Sequence, residues 1–530
     1  MLGRHASLVF FLAIAGPGFG QNFDWVTVFP SSEQATGRAI AQSPNGRIFT
    51  AGEFSQNITV GDSEYVSAGS RDIYVACLND TGVVLWSEQI SGTGMDRVWS
   101  LAADNNAVYL YGTFSNQCSV ADSLIVGSGN MDILIVKFTP NGELAWVRTA
   151  GWIGNDEART LALAQDGTLR MNGTYLYDAR FGDFILPYAV ENDFFVAAMD
   201  SEGNWQWVST LSGWSSFRPQ DLVTLDDGSC LTATWLYGPT VIGGDSVWVG
   251  PDPVNQLIHV SPSGILTADS TLPADWNFNL LRIAKRSDGG LFVAEVFSSG
   301  YQPTGIDLPD TCSRDILLLS RSPTGQWEWA KVIGNTGAEK DLSLFAVSNI
   351  HAAVLGAYSG SLNYADQTLE CTDYADIYFT RFGAQEDPLQ WYSCGGQQAQ
   401  WMNTAVMDSE GEFLLVGHFL YTAVLPPFEL EHSDGWSAYV AHTAKPEVGI
   451  APERSSKNEA CKAYPNPTTS FTALSGIGPG AQELSIVDQL GRLVHERHSY
   501  RELAPIDLRV LENGSYFIKT KTCTFRVIKE

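Results

Sequence analysis

The sequence predicts an all-β chain: a seven-bladed β-propeller closed by its own N-terminal strand, then a smaller strand-rich module. Three observations carry this. A small residue inside an apolar run recurs at Gly52, Gly112, Gly173, Ala233, Ala294, Gly356 and Gly417, with successive spacings of 60, 61, 60, 61, 62 and 61. A fixed period held over seven copies marks a propeller, solenoid or array. The apolar runs are short, rich in Val, Ile, Leu, Phe and Tyr, and bounded by Gly, Asn and Asp turns, which reads as strand and hairpin. The seventh copy lacks its last strand, and an orphan strand of that type stands at the N-terminus.

Each copy carries the same parts in order. A first strand ends in a turn, as in Arg38–Ala41 before Asn45-Gly46, Leu161–Ala164 before Asp166-Gly167, and Thr404–Met407 before Glu410-Gly411. A second strand runs through the small-residue anchor. A third opens on Asp72, Asp132, Asp193, Asp315 or Asp376, with Gln256 and Ser437 in that place in units four and seven. A two-residue turn follows, such as Thr81-Gly82, Asn141-Gly142, Glu202-Gly203, Ser263-Gly264 or Thr324-Gly325. The fourth strand holds Trp86, Trp146, Trp207, Trp329 or Trp391, and the Ile265–Leu266 run is expected in that slot in unit four. Four antiparallel strands per unit make one propeller blade.

Trp25 lies 61 residues before Trp86, in register with the fourth strands. The N-terminal strand is therefore expected to complete the seventh blade, which leaves no long open edge. An open solenoid is the alternative. Across residues 24–443 the Asp-led strand, Gly turn, Trp strand and small-residue anchor resemble the bacterial β-propeller repeat family called SBBP. That resemblance implies a fold and no chemistry.

The chain has 530 residues, enough for more than one domain. Asp and Glu outnumber Lys and Arg 59 to 31, giving a net charge of −28, which argues against nucleic acid and anionic membranes. The acidity suits a solvated extracellular surface. Residues 1–20 read as a secretory signal peptide: Arg4 and His5 start it, Leu8–Ala15 form the apolar core, and Gly18-Phe19-Gly20 is the cleavage site, leaving Gln21 first. No segment reaches transmembrane length. Eight cysteines fit an oxidising compartment, with no zinc-type spacing. Cys312 and Cys371 fall in equivalent loops of adjacent units, and Cys461 and Cys523 flank the C-terminal module, so each pair is either a disulfide or two buried thiols.

After residue 443 the period stops. Residues 444–460 are polar and read as a linker. Residues 461–530 alternate apolar and polar positions, with a hairpin turn expected at Gln489–Gly491. They open on Tyr464, Pro465, Asn466 and Pro467, carry Asp488, Gly491 and Arg492 as a D-x-x-G-R turn, and close through Gly514, Tyr516 and Ile518 as a G-x-Y-x-I strand before Lys529. In this order at the terminus, these motifs resemble the C-terminal sorting domain of the type IX secretion system of Bacteroidetes. The resemblance implies a small immunoglobulin-like sandwich, export across the outer membrane by the type IX machinery, and release or surface attachment afterwards. A plain immunoglobulin-like binding domain is the alternative.

No nucleophile elbow, phosphate loop or dinucleotide fingerprint is present. The third-strand aspartates, and a second series at Asp62, Asp122, Asp183, Asp245, Asp307 and Asp366, invite a calcium reading. Turn stabilisation explains both series better, because Asp accepts hydrogen bonds from nearby backbone N–H groups without an ion. No cofactor is expected, and calcium is the alternative. Chemistry is sought where the repeat departs from itself, in the first strands that line the channel. Most are bland, Arg38–Ala41 among them. Units two, four, six and seven depart, with Arg97, Trp99, Arg218, Asp221, Lys340, Asp341 and Trp401 as candidate ligand contacts at one channel mouth. Ordinary loop variation with ion pairs between blades is the competing account. The expected function is a secreted or cell-surface, monomeric, non-catalytic binding or adhesion module for an extracellular glycan or protein. The alternatives are a polysaccharide lyase or hydrolase at the channel mouth, which needs a paired acid and base, and a structural cell-surface component.

Overall fold

The computed structural model describes residues 21–211, 216–243, 245–247, 253–274, 280–298, 314–335, 339–364, 367–371, 374–383, 390–395 and 400–445. Beyond these it describes 462–464, 471–475, 482–487, 493–500, 506–509, 511, 514–520 and 524–529. The chain divides into two compact units, one ending at Ala444 and one beginning at Lys445. Both are built of strands, and the described residues include no helix. None therefore offers a helix long and apolar enough to cross a membrane.

In the first repeat, strands Gln34–Gln42, Ile48–Ser55, Asp72–Leu78 and Val84–Gly92 pair antiparallel in that order. The order recurs from Arg97–Ala103 to Leu144–Ala150, from Glu157–Leu163 to Trp205–Leu211 and from Ser216–Thr224 to Leu266–Pro273. It recurs again from Leu281–Lys285 to Trp327–Asn335 and from Glu339–Ala346 to Gln390–Cys394. The last set, Gln400–Met407, Phe413–Leu425 and Phe428–Thr443, takes its fourth strand from Phe23–Phe29, with Trp25 opposite His442 and Phe29 opposite Ala438. The first strands of consecutive sets are neighbours, and Gln400–Met407 neighbours Gln34–Gln42 in turn.

The recurring small residue has a steric cause. Six of the seven first strands carry an extra residue near the anchor, as between Gly37 and Ala39 or Val98 and Ser100. Such bulges bend a strand and re-aim its side chains. A Cβ on Gly52 would lie 1.9 Å from the Thr36 carbonyl oxygen, and one on Gly417 1.9 Å from that of Trp401. In unit five the register is unbroken, and Ala294 fits opposite Arg282.

The recurring Trp locks one unit to the next. Trp86 Nε1 donates to the Pro140 carbonyl at 2.9 Å, Trp146 to Ser201 at 3.1 Å and Trp207 to Pro262 at 2.8 Å, each in the third-to-fourth-strand turn of the following unit. Turn glycines Gly142 and Gly264 lie against the Trp86 and Trp207 rings, where a Cβ would come within 2.8 and 2.7 Å. Trp25 makes the same contact with unit one, donating to the Asp80 carbonyl at 3.0 Å beside Gly82. The expected Ile265–Leu266 substitute does not hold the slot. Leu266 pairs with Val260 as Val84 pairs with Leu78, so Thr267 stands where Trp86 stands, and Ile265 is exposed. An ion pair between Asp269 and Arg321 of the next unit, 2.8 Å, ties that junction instead.

Between second and third strands, where sequence reading expects a turn, most units insert a two-stranded ribbon, such as Asn57–Val60 with Ser63–Val66. The ribbon of unit two pairs with the fourth strand of unit one, Val120 opposite Ile90. Unit one's ribbon reaches Ser31, just past the N-terminal strand. Asp62, Asp122 and Asp183 sit at exposed ribbon tips. The third-strand aspartates instead hold loops: Asp132 accepts from the Ser128 and Gly129 N–H groups at 2.8 and 3.0 Å, and Asp72 from Ala68 at 2.9 Å. A second buried series, Asp96 and Asp156, precedes the first strands. Asp156 accepts from the Trp152 N–H at 2.8 Å, and burial pushes Asp156 to about 7 and Asp96 to about 8.

In the C-terminal unit, strands Leu493–Tyr500, Gln482–Val487, Gly514–Thr520 and Thr524–Lys529 form one sheet. Lys462–Tyr464, Phe471–Ser475 and Ile506–Asp507 form another. Leu484, Ile486, Ile506, Tyr516, Ile518 and Val527 share one core, so Tyr516 and Ile518 are buried packing residues.

Candidate functional site

The first strands converge on a cavity of about 330 Å³ lined by residues of units one, two, five, six and seven. Its charged walls are Arg38, Glu53, Arg97, Arg282 and Asp341, with Trp99 and Asn403 beside them. Arg38 occupies the bulge of its strand, Trp99 that of unit two and Asn403 that of unit seven. The Asn403 amide donates to the Gly37 carbonyl, closing the wall between units seven and one.

Glu53 is buried and lies 3.7 Å from Arg38 and 3.3 Å from Arg71. Burial raises its pKa, against the pull of Arg38, Arg71 and Arg97. The Arg159 guanidinium stacks 4.3 Å over the Trp99 ring and pairs with Glu157 at 3.2 Å. Burial lowers its pKa, and Arg97 and Arg218 add like-charge repulsion. Arg97, Arg159 and Arg218 are thus electrostatic neighbours across units two, three and four. The Nε–H groups of Arg97 and Arg159 and the Trp99 Nε1–H are shielded from solvent and meet no acceptor among the described residues.

Of the sequence candidates, Arg97, Trp99 and Asp341 line the cavity. Arg218 is exposed, is not among the lining residues, and stacks 4.7 Å from the Trp235 ring. Asp221 accepts from the N–H groups of Leu222 at 2.9 Å and Ile283 at 2.7 Å, tying unit four to unit five. Burial raises its pKa, opposed by Arg282. Trp401 packs instead in a cluster with His418 at 5.0 Å and Trp436 at 4.8 Å and does not line the cavity. The Lys340 side chain lies outside the described residues, as do Gly20, Cys312, Cys461, Cys523, Pro465, Asn466, Pro467, Asp488, Gln489, Gly491, Arg492 and the side chain of Tyr464.

Sequence reading passed over Arg38, Arg159 and Arg282. Arg38 stands in the segment judged bland, yet it lines the cavity. The signal was present, since Arg38, Arg97, Arg159, Arg218 and Arg282 recur at close to the repeat period on five successive first strands. A buried relay was also missed. Gln220 donates to Asn255, and Asn255 to Glu295 at 3.1 Å. Burial pushes Glu295 up to about 8.

Residues 462–530 match the family model described as a secretion system C-terminal sorting domain. No curated protein matches the chain. Among solved structures, a protein from Lactobacillus plantarum is similar at 14% identity and TM-score 0.37, covering 67% of this chain and 84% of that one. Sqt1 from Saccharomyces cerevisiae is similar at 9% identity and TM-score 0.36, covering 81% and 100%. A member of the DUF4221 family from Bacteroides vulgatus is similar at 10% identity and TM-score 0.31, covering 69% and 100%. Likenesses this distant bear on no ligand or reaction. The C-terminal match implies export by type IX secretion, to the cell surface or beyond.

Proposed function

We propose that residues 21–443 form a closed seven-bladed propeller acting as a non-catalytic binding module for an extracellular glycan or protein. A signal peptide over residues 1–20 and an immunoglobulin-like sorting domain over 461–530, behind a linker at 444–460, deliver it. Ring closure is supported by the cycle of neighbouring first strands and by Trp25 repeating the Trp86 contact. The resemblance of the repeats to the SBBP family agrees with it.

The binding reading rests on one observation: the bulged first strands gather arginines, carboxylates and a tryptophan around one cavity. A rigid concave site with a few convergent polar groups is the common form of a ligand site. Aromatic rings beside planar polar groups suit sugars. The test incubates the exported chain with a panel of extracellular polysaccharides and follows retention and chain length together, with and without calcium. Retention without shortening is expected. Shortening of any polymer overturns the non-catalytic reading and points to Glu53 and Asp341 as the carboxylates to substitute.

A further inference from the structure

Within a chain of net charge −28, five of the 31 basic residues stand on consecutive first strands, and three of them, Arg38, Arg97 and Arg282, line the cavity. Four carboxylates accompany them. Glu157 pairs with Arg159, Glu53 with Arg38 and Arg71, and Asp221 is engaged by backbone N–H groups. Asp341 lines the wall. The Nε–H of Arg97, the Nε–H of Arg159 and the indole N–H of Trp99 are donors, shielded from water, without acceptors among the described residues. Those three atoms are closed to a ligand as they are to water, so what a ligand meets is the open cavity wall, where Arg38, Arg97 and Arg282 stand with Glu53 and Asp341.

We propose that this arginine arc is an oxyanion site, and that its ligand is an acidic glycan carrying carboxylate or sulfate groups. The inference rests on the binding reading above and names the class of ligand. Guanidinium groups present paired N–H donors in a plane that matches a carboxylate or sulfate edge. Trp99, against Arg159 and in the cavity wall, adds a face for a sugar ring, which favours an acidic glycan over an acidic peptide. The cavity's about 330 Å³ fits one or two sugar residues. The surrounding acidic surface disfavours any polyanion lacking such a local match.

The test titrates the exported chain with four probes: oligogalacturonate, the same oligomer methyl-esterified, a sulfated glycan and an acidic peptide. Binding of oligogalacturonate or the sulfated glycan is expected, with at least about a tenfold loss on esterification and further weakening in high salt. The preferred acid probe identifies the oxyanion. Arg97→Gln should weaken it at least about tenfold, and Arg97→Lys should restore it only in part, because an ammonium keeps the charge without the fork. Arg218→Gln, at an exposed position that folding tolerates, is the second variant and should reduce affinity severalfold. Equal binding of ester and acid, unchanged binding in both glutamine variants, or preference for the peptide overturns the proposal while leaving a binding module standing. Failure of all four probes, with a neutral glycan retained, removes the oxyanion site alone. Failure of every probe removes both readings.

Discussion

Substituting Phe29 by Ala separates a closed ring from an open array of sheets. Phe29 is fully buried on the N-terminal strand and meets Tyr74 of unit one edge-on at 5.5 Å. At the strand's other end Phe23 meets Phe379 of unit six at 6.1 Å. The strand therefore joins three units, and the ladder to Phe428–Thr443 holds it in register. Truncating a buried Phe to Ala costs about 3–5 kcal/mol. With a urea slope of about 4 kcal/mol/M for a domain of this size, the unfolding midpoint falls by about 1 M. The two architectures differ in which transition moves. In an open array each repeat leans only on its neighbours, so a terminal strand frays without disturbing the rest. In a ring the loss spreads, and the main transition moves as a whole. The assay is urea unfolding of the full chain, followed by far-ultraviolet circular dichroism and by tryptophan fluorescence. Phe29→Ala should shift both signals together by about the stated amount. An unmoved main transition, with only a small early phase added, refutes ring closure.

Further tests address other parts of the fold. Gly52→Ala places a Cβ 1.9 Å from a backbone carbonyl and should cost about 3 kcal/mol or more in urea unfolding, whereas Ala294→Gly should cost only about 0.5–1 kcal/mol. Burial raises Asp156 and Asp193 to about 7 and Asp96 and Glu295 to about 8. The folded chain then binds more protons than the unfolded one from about pH 4 upward. Stability should therefore fall as pH rises from about 5 to about 8, and Asp96→Asn should flatten that slope in urea midpoints across the range. Arg321→Gln removes the ion pair standing in for a Trp lock at the unit four–five junction and should lower the midpoint by about 1–3 kcal/mol of stability, more than an exposed pair would. Removing residues 462–530 should leave the chain inside the cell, read by fractionation. Sequencing of the exported chain's N-terminus should begin at Gln21.

The period and the orphan Trp25 strand were legible because the repeats share one backbone hydrogen-bonding scheme, and that scheme restricts residue size at the anchor and at the turn glycines. The ribbons were not legible. Asn57–Val60 and Ser63–Val66 are four residues each around Gly61 and Asp62, too short to show a period distinct from a turn. Unit four was misread because an apolar pair looks like a fitting substitute for Trp, whereas the register gives that place to Thr267 and the junction relies on Asp269 and Arg321. The site was half legible. Arg97, Trp99 and Asp341 stood out against the repeat, but Arg38 sits in an ordinary-looking strand. A bulge, which sequence does not announce, sets its place at the cavity.

That bulge explains how one scaffold keeps fold and function apart. The anchor must stay small because the bulged strand's carbonyl occupies the space of its side chain, so the anchor barely varies from Gly to Ala. The residue at the bulge meets no such restriction. It is Arg38 in unit one, Trp99 in unit two, Gln220 in unit four, Lys340 in unit six and Asn403 in unit seven. Side-chain size is not fixed at this position as it is at the anchor, so the cavity wall can differ in chemistry between units one, two and seven, where the bulge residue lines it. Substitutions at Arg38, Trp99 and Asn403 should therefore alter ligand retention far more than urea midpoints, and the reverse should hold at Gly52, Gly112 and Gly417. If Trp99→Ala and Asn403→Ala destabilise the chain as much as Gly52→Ala does, the bulge residues belong to the scaffold, and the cavity loses its claim to be the binding site.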